Sequence, residues 1–292
     1  MAPPDRIHAR AHAKLNLALA VGPALPPGDP HAGYHPIASW MHAIDLADEI
    51  TLTRAGDTEY DIAWHDGTPV AWDPAGDLAV RAHRAVESLA GRPLPVRLRV
   101  RKSIPAGGGL GGGSSDAGAT MLALRDLFGL DLDDAALAAA AHRLGTDIPF
   151  FIDPPAWRAQ LPPRPALVTG LGDRAERLDR RVGAVTLVCP PFGCPTGAVY
   201  RTFDERPTPA CDEARARQTA LNPPDPDAPF NDLADAAERA EPRLARLRAA
   251  LETALATPVH VSGSGSTLFC FAPPEAVAPH APDCRVIGTR LV

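Results

Sequence analysis

The stretch Pro105-Ala106-Gly107-Gly108-Gly109-Leu110-Gly111-Gly112-Gly113-Ser114-Ser115-Asp116 decides how this chain is read. Six of the seven positions from 107 to 113 are glycine, which suits neither a helix nor a strand and makes a loop costly in entropy. Such a run belongs where backbone must approach another group closely. Ser114 to Phe128 has the pattern of a helix, so its first N–H groups and positive dipole end would face whatever the loop wraps, and an anion is the natural guest.

Upstream, Val96, Leu98 and Val100 alternate with Arg97, Arg99 and Arg101, which predicts a half-exposed strand leading through Lys102 into the loop. A literal Gly-x-Gly-x-x-Gly occurs at Gly107, Gly109 and Gly112, with Asp126 and Asp131 near the position of a ribose-binding acid. The arginine alternation argues against a dinucleotide fold, whose first strand should be nearly all apolar. No Gly-Lys-Ser or Gly-Lys-Thr is present for a P-loop, and no His-Arg-Asp or Asp-Phe-Gly for a protein kinase.

With 292 residues, the chain is long enough for two domains of ordinary size. Net charge is -6 and no basic block stands out, so a small-molecule partner is expected rather than nucleic acid. Met1 to Arg10 does not resemble a signal segment and no apolar run approaches a membrane span, which predicts a cytoplasmic protein with no membrane partner. The cysteines (189, 194, 211, 270 and 284) contain no Cys-x-x-Cys pair for zinc, and are expected to be reduced and mostly buried. Lysine occurs only at Lys14 and Lys102, asparagine only at 16, 222 and 231, and tyrosine only at 34, 60 and 200. In a chain that favours arginine, a surviving lysine suggests a site too tight for a planar fork.

Leu15, Leu17, Leu19 and Val21 alternate with Lys14, Asn16 and Ala18, which predicts a strand over 12–21 with one buried face. Lys14 and Asn16 then share the other face about 7 Å apart, either as a solvated surface or as a functional pair. Strands are expected over 37–44 and 48–53, a hairpin over 56–76, and helices over 78–90 and 133–144. Tyr34 follows a proline- and glycine-rich loop and could pack or stack on a planar ligand. Asp147 stands between a helix stop at Gly145 and the apolar Pro149-Phe150-Phe151, where half-burial calls for a cationic partner, a functional role or a local turn bond. The proline-rich segment 154–165 is the expected domain boundary, giving domains over 1–154 and 155–292. Beyond it, strands are expected over 182–188, 259–261, 267–271 and 285–291. Helices are expected to open near Pro195 and to cover 231–240 and 242–256, with a short one near 212–220 and a glycine turn at 262–266.

The combination Pro105, Gly109, Leu110, Gly111, Ser114 and Ser115 resembles the phosphate loop of the GHMP small-molecule kinases. Further similar motifs follow in the same order: Ala13-Lys14-Leu15-Asn16-Leu17, Gly33-Tyr34-His35, Gly145-Thr146-Asp147, Asn231-Asp232-Leu233 and Ser262-Gly263-Ser264-Gly265. The resemblance implies a two-domain α+β fold, with an N-terminal domain like domain 2 of ribosomal protein S5 and a ferredoxin-like C-terminal domain. It implies transfer of the γ-phosphate of ATP, with Mg2+, to an alcohol. The finer form of the loop is similar to the branch that phosphorylates a cytidine diphosphate derivative for isoprenoid synthesis.

By that resemblance Asp147 would be the general base, and Lys14 would orient it and stabilise developing charge. Pro105, Gly107, Gly108, Gly109, Leu110, Gly111, Gly112, Gly113, Ser114 and Ser115 would cradle the triphosphate, with Lys102 beside them. Tyr34, His35 and Tyr200 would hold the cytosine, Asn16 the erythritol part, and Gly263 and Gly265 would close the site. A monomer or weak homodimer is expected. Members acting on homoserine or mevalonate, or a nucleotide sensor without turnover, are the alternatives. Asp77 departs from the family's usual asparagine, Ser266 from a common proline and Gly118 from a helix-favouring alanine, the last at about 1 kcal/mol. The loop between Asn16 and Gly33 is longer than usual.

Overall fold

The structure is a computed structural model that describes residues 3–222, 225 and 227–292. Met1 and Ala2 of the N-terminal stretch, and Pro223, Pro224 and Pro226 of the polar segment 207–229, lie outside the described residues. The chain forms two compact units, one from Met1–Ala13, Leu46–Ile104 and Gly111–Arg164, the other from Lys14–Asp45, Pro105–Leu110 and Pro165–Val292.

Two long strands, β1 (Arg6–Val21) and β2 (Ile37–Arg54), pair with each other and contribute residues to both units. In the first unit follow β3 (Glu59–Trp64), α1 (Leu78–Ala90), β4 (Val96–Lys102), α2 (Gly112–Phe128), α3 (Asp134–Leu144), α4 (Ile148–Phe151) and α5 (Pro154–Arg158). Asp77 caps α1 by accepting from the Ala79 N–H, and Gly91 ends the helix in the left-handed region. β4 runs antiparallel to β2 and parallel to β3. Of the expected hairpin over 56–76 only one antiparallel bridge forms, Ala63 with Pro69 around a turn closed by the Trp64 N–H on the Thr68 carbonyl at 2.8 Å; the ladder partner of β3 is instead β4, parallel and across the α1 crossover. The arginines of β4 find acids on β3, with Arg97 on Glu59, and Arg99 and Arg101 on Asp61. The apolar side of the same strands (Ile50, Leu52, Ile62, Val96, Leu98, Val100) packs on Val80, Val86, Met121, Leu124 and Leu137 of the helices.

The two expected strands over 37–44 and 48–53 are one continuous strand, β2. The single buried face expected for β1 is also corrected, since every residue from Ala11 to Val21 is buried. Within the second unit the polar residues of β1 are enclosed because they are hydrogen-bonded, which removes the cost of taking them out of water.

The second unit continues with β5 (Ala166–Gly170), β6 (Arg174–Arg177), β7 (Gly183–Cys189), α6 (Thr196–Phe203), α7 (Glu213–Leu221), β8 (Phe230–Asn231), α8 (Ala234–Ala240), α9 (Pro242–Leu255), β9 (His260–Val261), β10 (Leu268–Cys270), α10 (Pro274–Val277) and β11 (Arg285–Leu291). The order β2-β11-β7-β10-β9 is antiparallel throughout, β5 joins β2 at residues 37–41, and β8 lies parallel to β1 at Ala18 and Leu19. Its core gathers Leu19, Val21, Val188, Val199, Leu233, Leu244, Leu251, Val261 and Leu268. Among the described residues no helix is long and apolar enough to cross a membrane.

Gly118 has a packing role that its helix propensity hides. A Cβ there would stand 2.7 Å from the Cβ of Phe151, so α2 approaches α4 only because the side chain is missing. Gly118→Ala should lower the unfolding free energy by about 1–3 kcal/mol through overpacking, outweighing the ~1 kcal/mol gained in helix propensity. A rise in the urea midpoint of the variant would contradict this.

Candidate active site

In the second unit, β1 and the glycine loop meet at a polar cluster. Lys14 donates from Nζ to Asn16 Oδ1 at 2.6 Å and to the Gly109 carbonyl at 2.9 Å, and its backbone N–H donates to the Leu110 carbonyl at 2.9 Å. Asn16 donates to Ser39 Oγ at 2.8 Å, and Ser39 donates to the Ala18 carbonyl at 2.8 Å. Both Lys14 and Asn16 are only 3% exposed, so the cation is enclosed by oxygen acceptors. The turn at 262–266 presses against the same cluster. Ser262 Oγ donates to the Gly109 carbonyl at 3.2 Å, and the Thr267 N–H donates to the Gly108 carbonyl at 3.2 Å. Gly109 has φ +74° and a Cβ there would lie 2.2 Å from the Ser262 carbonyl, so no other residue fits. Gly263 turns in the left-handed region at φ +58°, where a Cβ would be 3.2 Å from Asn16 Oδ1. Gly265, also in the left-handed region, lies in the same turn.

His35 and Tyr200 come together in this unit, with ring centroids 4.8 Å apart. His35 is buried, and its Nδ1 lies 2.9 Å from the Gly22 carbonyl. A carbonyl can only accept, so Nδ1 carries the proton, while Nε2 lies 3.5 Å from the Asp204 carboxylate. Tyr34 is 54% exposed and makes an edge contact with His31 at 6.2 Å between centroids.

The first unit holds the helix that the loop opens. Gly111 caps α2 in the left-handed region without a side-chain bond, and the Ser115 N–H donates to the Gly111 carbonyl at 2.8 Å. Ser114 is half-buried and Ser115 buried at this end, with Gly112 and Gly113 in the first turn. Lys102 is engaged by protein carboxylates: its ammonium donates to Asp48 and to Asp116 and is 4% exposed. The other Asp48 oxygen accepts from the backbone N–H groups of Ser103 and Ile104, the latter at 2.8 Å. Burial works against the Lys102 charge, but the two carboxylates outweigh it and hold its pKa above the usual lysine range. Burial pushes the Asp116 carboxyl well above the usual carboxylate range; Lys102 opposes that shift and Asp48 adds to it. Asp147 is half-buried at the N-terminus of α4 with φ −84° and ψ −16°, and does not cap the helix with its side chain.

Sequence reasoning does not single out Ser39, Asp48 or Asp204, and it gives no separate role to Asp116 and Ser262, which stand within quoted motifs. Serine and aspartate are common enough that rarity cannot mark them. Asp48 and Asp116 carry one signal, a carboxylate placed among apolar residues of a strand and a helix, where burial demands a cation.

Residues 77–153 match the GHMP kinases N terminal domain. A 4-diphosphocytidyl-2-C-methyl-D-erythritol kinase of Caulobacter sp. (strain K31) is 37% identical over 279 residues, covering 90% of this chain and 88% of the relative. The enzyme of the same name from Kineococcus radiotolerans is 35% identical over 291 residues, covering 95% of this chain and 85% of the relative. A crystal structure of 4-(cytidine 5'-diphospho)-2C-methyl-D-erythritol kinase superposes with a TM-score of 0.74 at 29% identity, over 98% of this chain and 99% of that one.

Lys102→Met would leave two buried carboxylates without their cation and should cost about 3–5 kcal/mol at pH 8. Lys102 holds the Asp116 pKa down against burial, so its loss raises that pKa further; a carboxyl with a raised folded pKa keeps its stability below its usual pKa and loses it as pH rises through the folded value, so the deficit should shrink toward pH 5. Urea titrations at the two pH values measure both quantities, and adding Asp116→Asn should recover part of the loss at pH 8. An equal deficit at both pH values would exclude this account of the triad.

Proposed function

The chain belongs to the GHMP kinase family, among the 4-diphosphocytidyl-2-C-methyl-D-erythritol kinases, and from that premise we propose that it phosphorylates the 2-hydroxyl of 4-diphosphocytidyl-2-C-methyl-D-erythritol with ATP in isoprenoid precursor synthesis. The observation that carries the reading is Lys14, rare in this chain and held on the Gly109 carbonyl of the glycine loop itself. Phosphoryl transfer needs the γ-phosphate held in line, its charge stabilised and the attacking hydroxyl relieved of a proton. In this reading the N–H groups of the loop and of the first turn of α2 hold the triphosphate, with the hydroxyls of Ser114 and Ser115. Lys14 stabilises the charge that develops on transfer, and Asp147 takes the proton of the accepting hydroxyl. An arginine at position 14 would need more room than the enclosed cluster offers.

Asn16 is read as a contact of the erythritol part. The neighbouring rings of His35 and Tyr200, tilted by 39° with centroids 4.8 Å apart, support an aromatic site for a flat base, and Tyr34 is exposed enough to close on it. Homoserine and mevalonate carry no such base, which favours the cytidyl acceptor. Lys102 is read here as a positioning residue that ties the end of β4 to the start of α2, on either side of the loop.

Among the described residues no three His, Cys, Asp or Glu side chains gather as a metal cage. That suits Mg2+ carried in on the triphosphate, since this ion keeps several waters and takes one or two protein oxygens, for which Ser114 or Ser115 would serve. When bound, it would neutralise charge on the β- and γ-phosphates. We also propose an S5 domain 2-like domain over 1–154, a ferredoxin-like domain over 155–292, a cytoplasmic location, no nucleic-acid partner, and a monomer or weak homodimer. The antiparallel order β11-β7-β10-β9, with α8 and α9 packed on it, supports the second of these folds.

ADP release measured with the cytidyl substrate beside a panel of simple alcohols tests the acceptor. Turnover only of another alcohol would sink the assignment. Asp147→Asn should leave ATP binding within about threefold and lower kcat by about 100-fold or more, the usual scale for loss of a general base. A variant that keeps its rate would remove Asp147 from the chemistry.

A further inference from the structure

Asn231 has no part in the chemistry of phosphoryl transfer, yet it is one of three asparagines in the chain. It sits on β8, the two-residue strand that lies parallel to β1. Its neighbour Asp232 anchors it there: the Asp232 N–H donates to the Leu19 carbonyl at 2.9 Å, and Asp232 Oδ2 accepts from the Val21 N–H at 3.0 Å. From this fixed base the Asn231 amide reaches the turn at 262–266. Nδ2 donates to the Val261 carbonyl at 2.8 Å and to the Gly263 carbonyl at 2.7 Å, while Oδ1 accepts from the Leu233 N–H at 2.9 Å. Both amide hydrogens face carbonyls, which only accept, so the orientation of the amide is unambiguous.

The far side of the turn is what makes this matter. Gly263 lies against Lys14 and Asn16, with its missing Cβ 3.5 Å from Lys14 Nζ, and Ser262 Oγ shares the Gly109 carbonyl with Lys14. A shift of the turn therefore moves both a group that shares an acceptor with the lysine and the wall beside it. Aspartate in place of Asn231 would set a carboxylate against two carbonyl oxygens, and alanine would leave both carbonyls unheld. Asn231 also lines a cavity of about 240 Å3 together with Asn16, His260 and Phe269, so hydrogen bonds rather than close packing hold this side of the turn. Its removal should loosen the turn more than it destabilises the fold.

We propose that Asn231 is a positioning residue for phosphoryl transfer, clamping the 262–266 turn so that Lys14 and the Gly109 carbonyl keep the geometry the reaction needs. The inference rests on the proposed kinase reaction. It acts on the rate, because a turn that fixes an enclosed cation affects the transition state more than the initial capture of either substrate.

The test compares Asn231→Ala, Asn231→Asp and Asn231→Gln with Leu233→Ala, which removes a buried side chain beside the clamp and leaves the amide in place. ADP release with the cytidyl substrate and urea midpoints are measured for each. Asn231→Ala should lower kcat by about 10- to 100-fold, the scale expected for a misplacement near 1 Å, with KM for the acceptor within about threefold. Asn231→Asp should lose more, Asn231→Gln should recover part of the rate, and Leu233→Ala should lower the midpoint at least as much as Asn231→Ala yet keep kcat within about twofold. Hydrogen exchange supplies a readout without turnover: the Gly265 and Thr267 amides should exchange faster in Asn231→Ala than in Leu233→Ala. A rate loss matched by Leu233→Ala, or unchanged exchange at those amides, overturns the clamp. Absence of turnover in the unmodified protein would instead overturn the kinase reading, and hydrogen exchange would still decide the clamp.

Discussion

The Gly109 carbonyl is the oxygen on which the polar interior of the second unit depends. It accepts from Lys14 Nζ and from Ser262 Oγ, so one backbone atom joins strand β1, the glycine loop and the 262–266 turn. That junction exists because position 109 has no side chain: its φ is +74° and any Cβ would overlap the Ser262 carbonyl. From sequence the loop reads as backbone made bare for an anion. Part of its glycine content answers a different demand, close approach to the protein itself, and Gly108 shows the same thing, since a Cβ added there would stand 2.6 Å from Thr267 Oγ1.

A second constraint acts in the first unit, on the chain segments that flank the loop. β4 ends at Lys102, and Asp48 binds both that ammonium and the N–H groups of Ser103 and Ile104, where the chain leaves the sheet. Asp116, on the first turns of α2, takes the same ammonium. Two carboxylates and one cation carry a net negative charge, which is costly to bury, and the raised pKa of Asp116 is the expected response. The triad thus fixes the departure of β4 and the start of α2 by charge as well as by packing.

The elements legible in the sequence are those whose burial pattern is local. Helix α1 from Leu78 to Ala90, its Gly91 stop and strand β11 from Arg285 to Leu291 follow directly from apolar spacing and punctuation. Strands β5 and β6 escape such a reading because five- and four-residue segments give too short a period, and β6 alternates charged residues at an exposed edge. β3 is only partly legible: its local bridge to Pro69 lies within the segment, but its ladder partner β4 lies beyond a helix and nothing in the segment itself shows it. At the site, Lys14, Asn16 and the loop are legible, and their closeness in the second unit follows from β1 meeting the loop. The acids around Lys102 are not, since their meaning depends on residues 48, 102 and 116 arriving at one point.

Residue rarity carries much of the functional argument, and the structure shows what it measures. Both lysines are almost fully enclosed, one with Asn16 Oδ1 and the Gly109 carbonyl among its acceptors and the other between two carboxylates. Rarity therefore reports tight enclosure, where a guanidinium fork has no room, and not chemistry as such. The asparagines and tyrosines agree. Asn16 and Asn231 hold the polar cluster, while Asn222 only follows the end of α7, and Tyr60 spends its hydroxyl on buried His83 in the core of the first unit. Enclosure becomes an argument for function only with a second observation, and for Lys14 that observation is the carbonyl it holds: it belongs to the loop that would bind the phosphates.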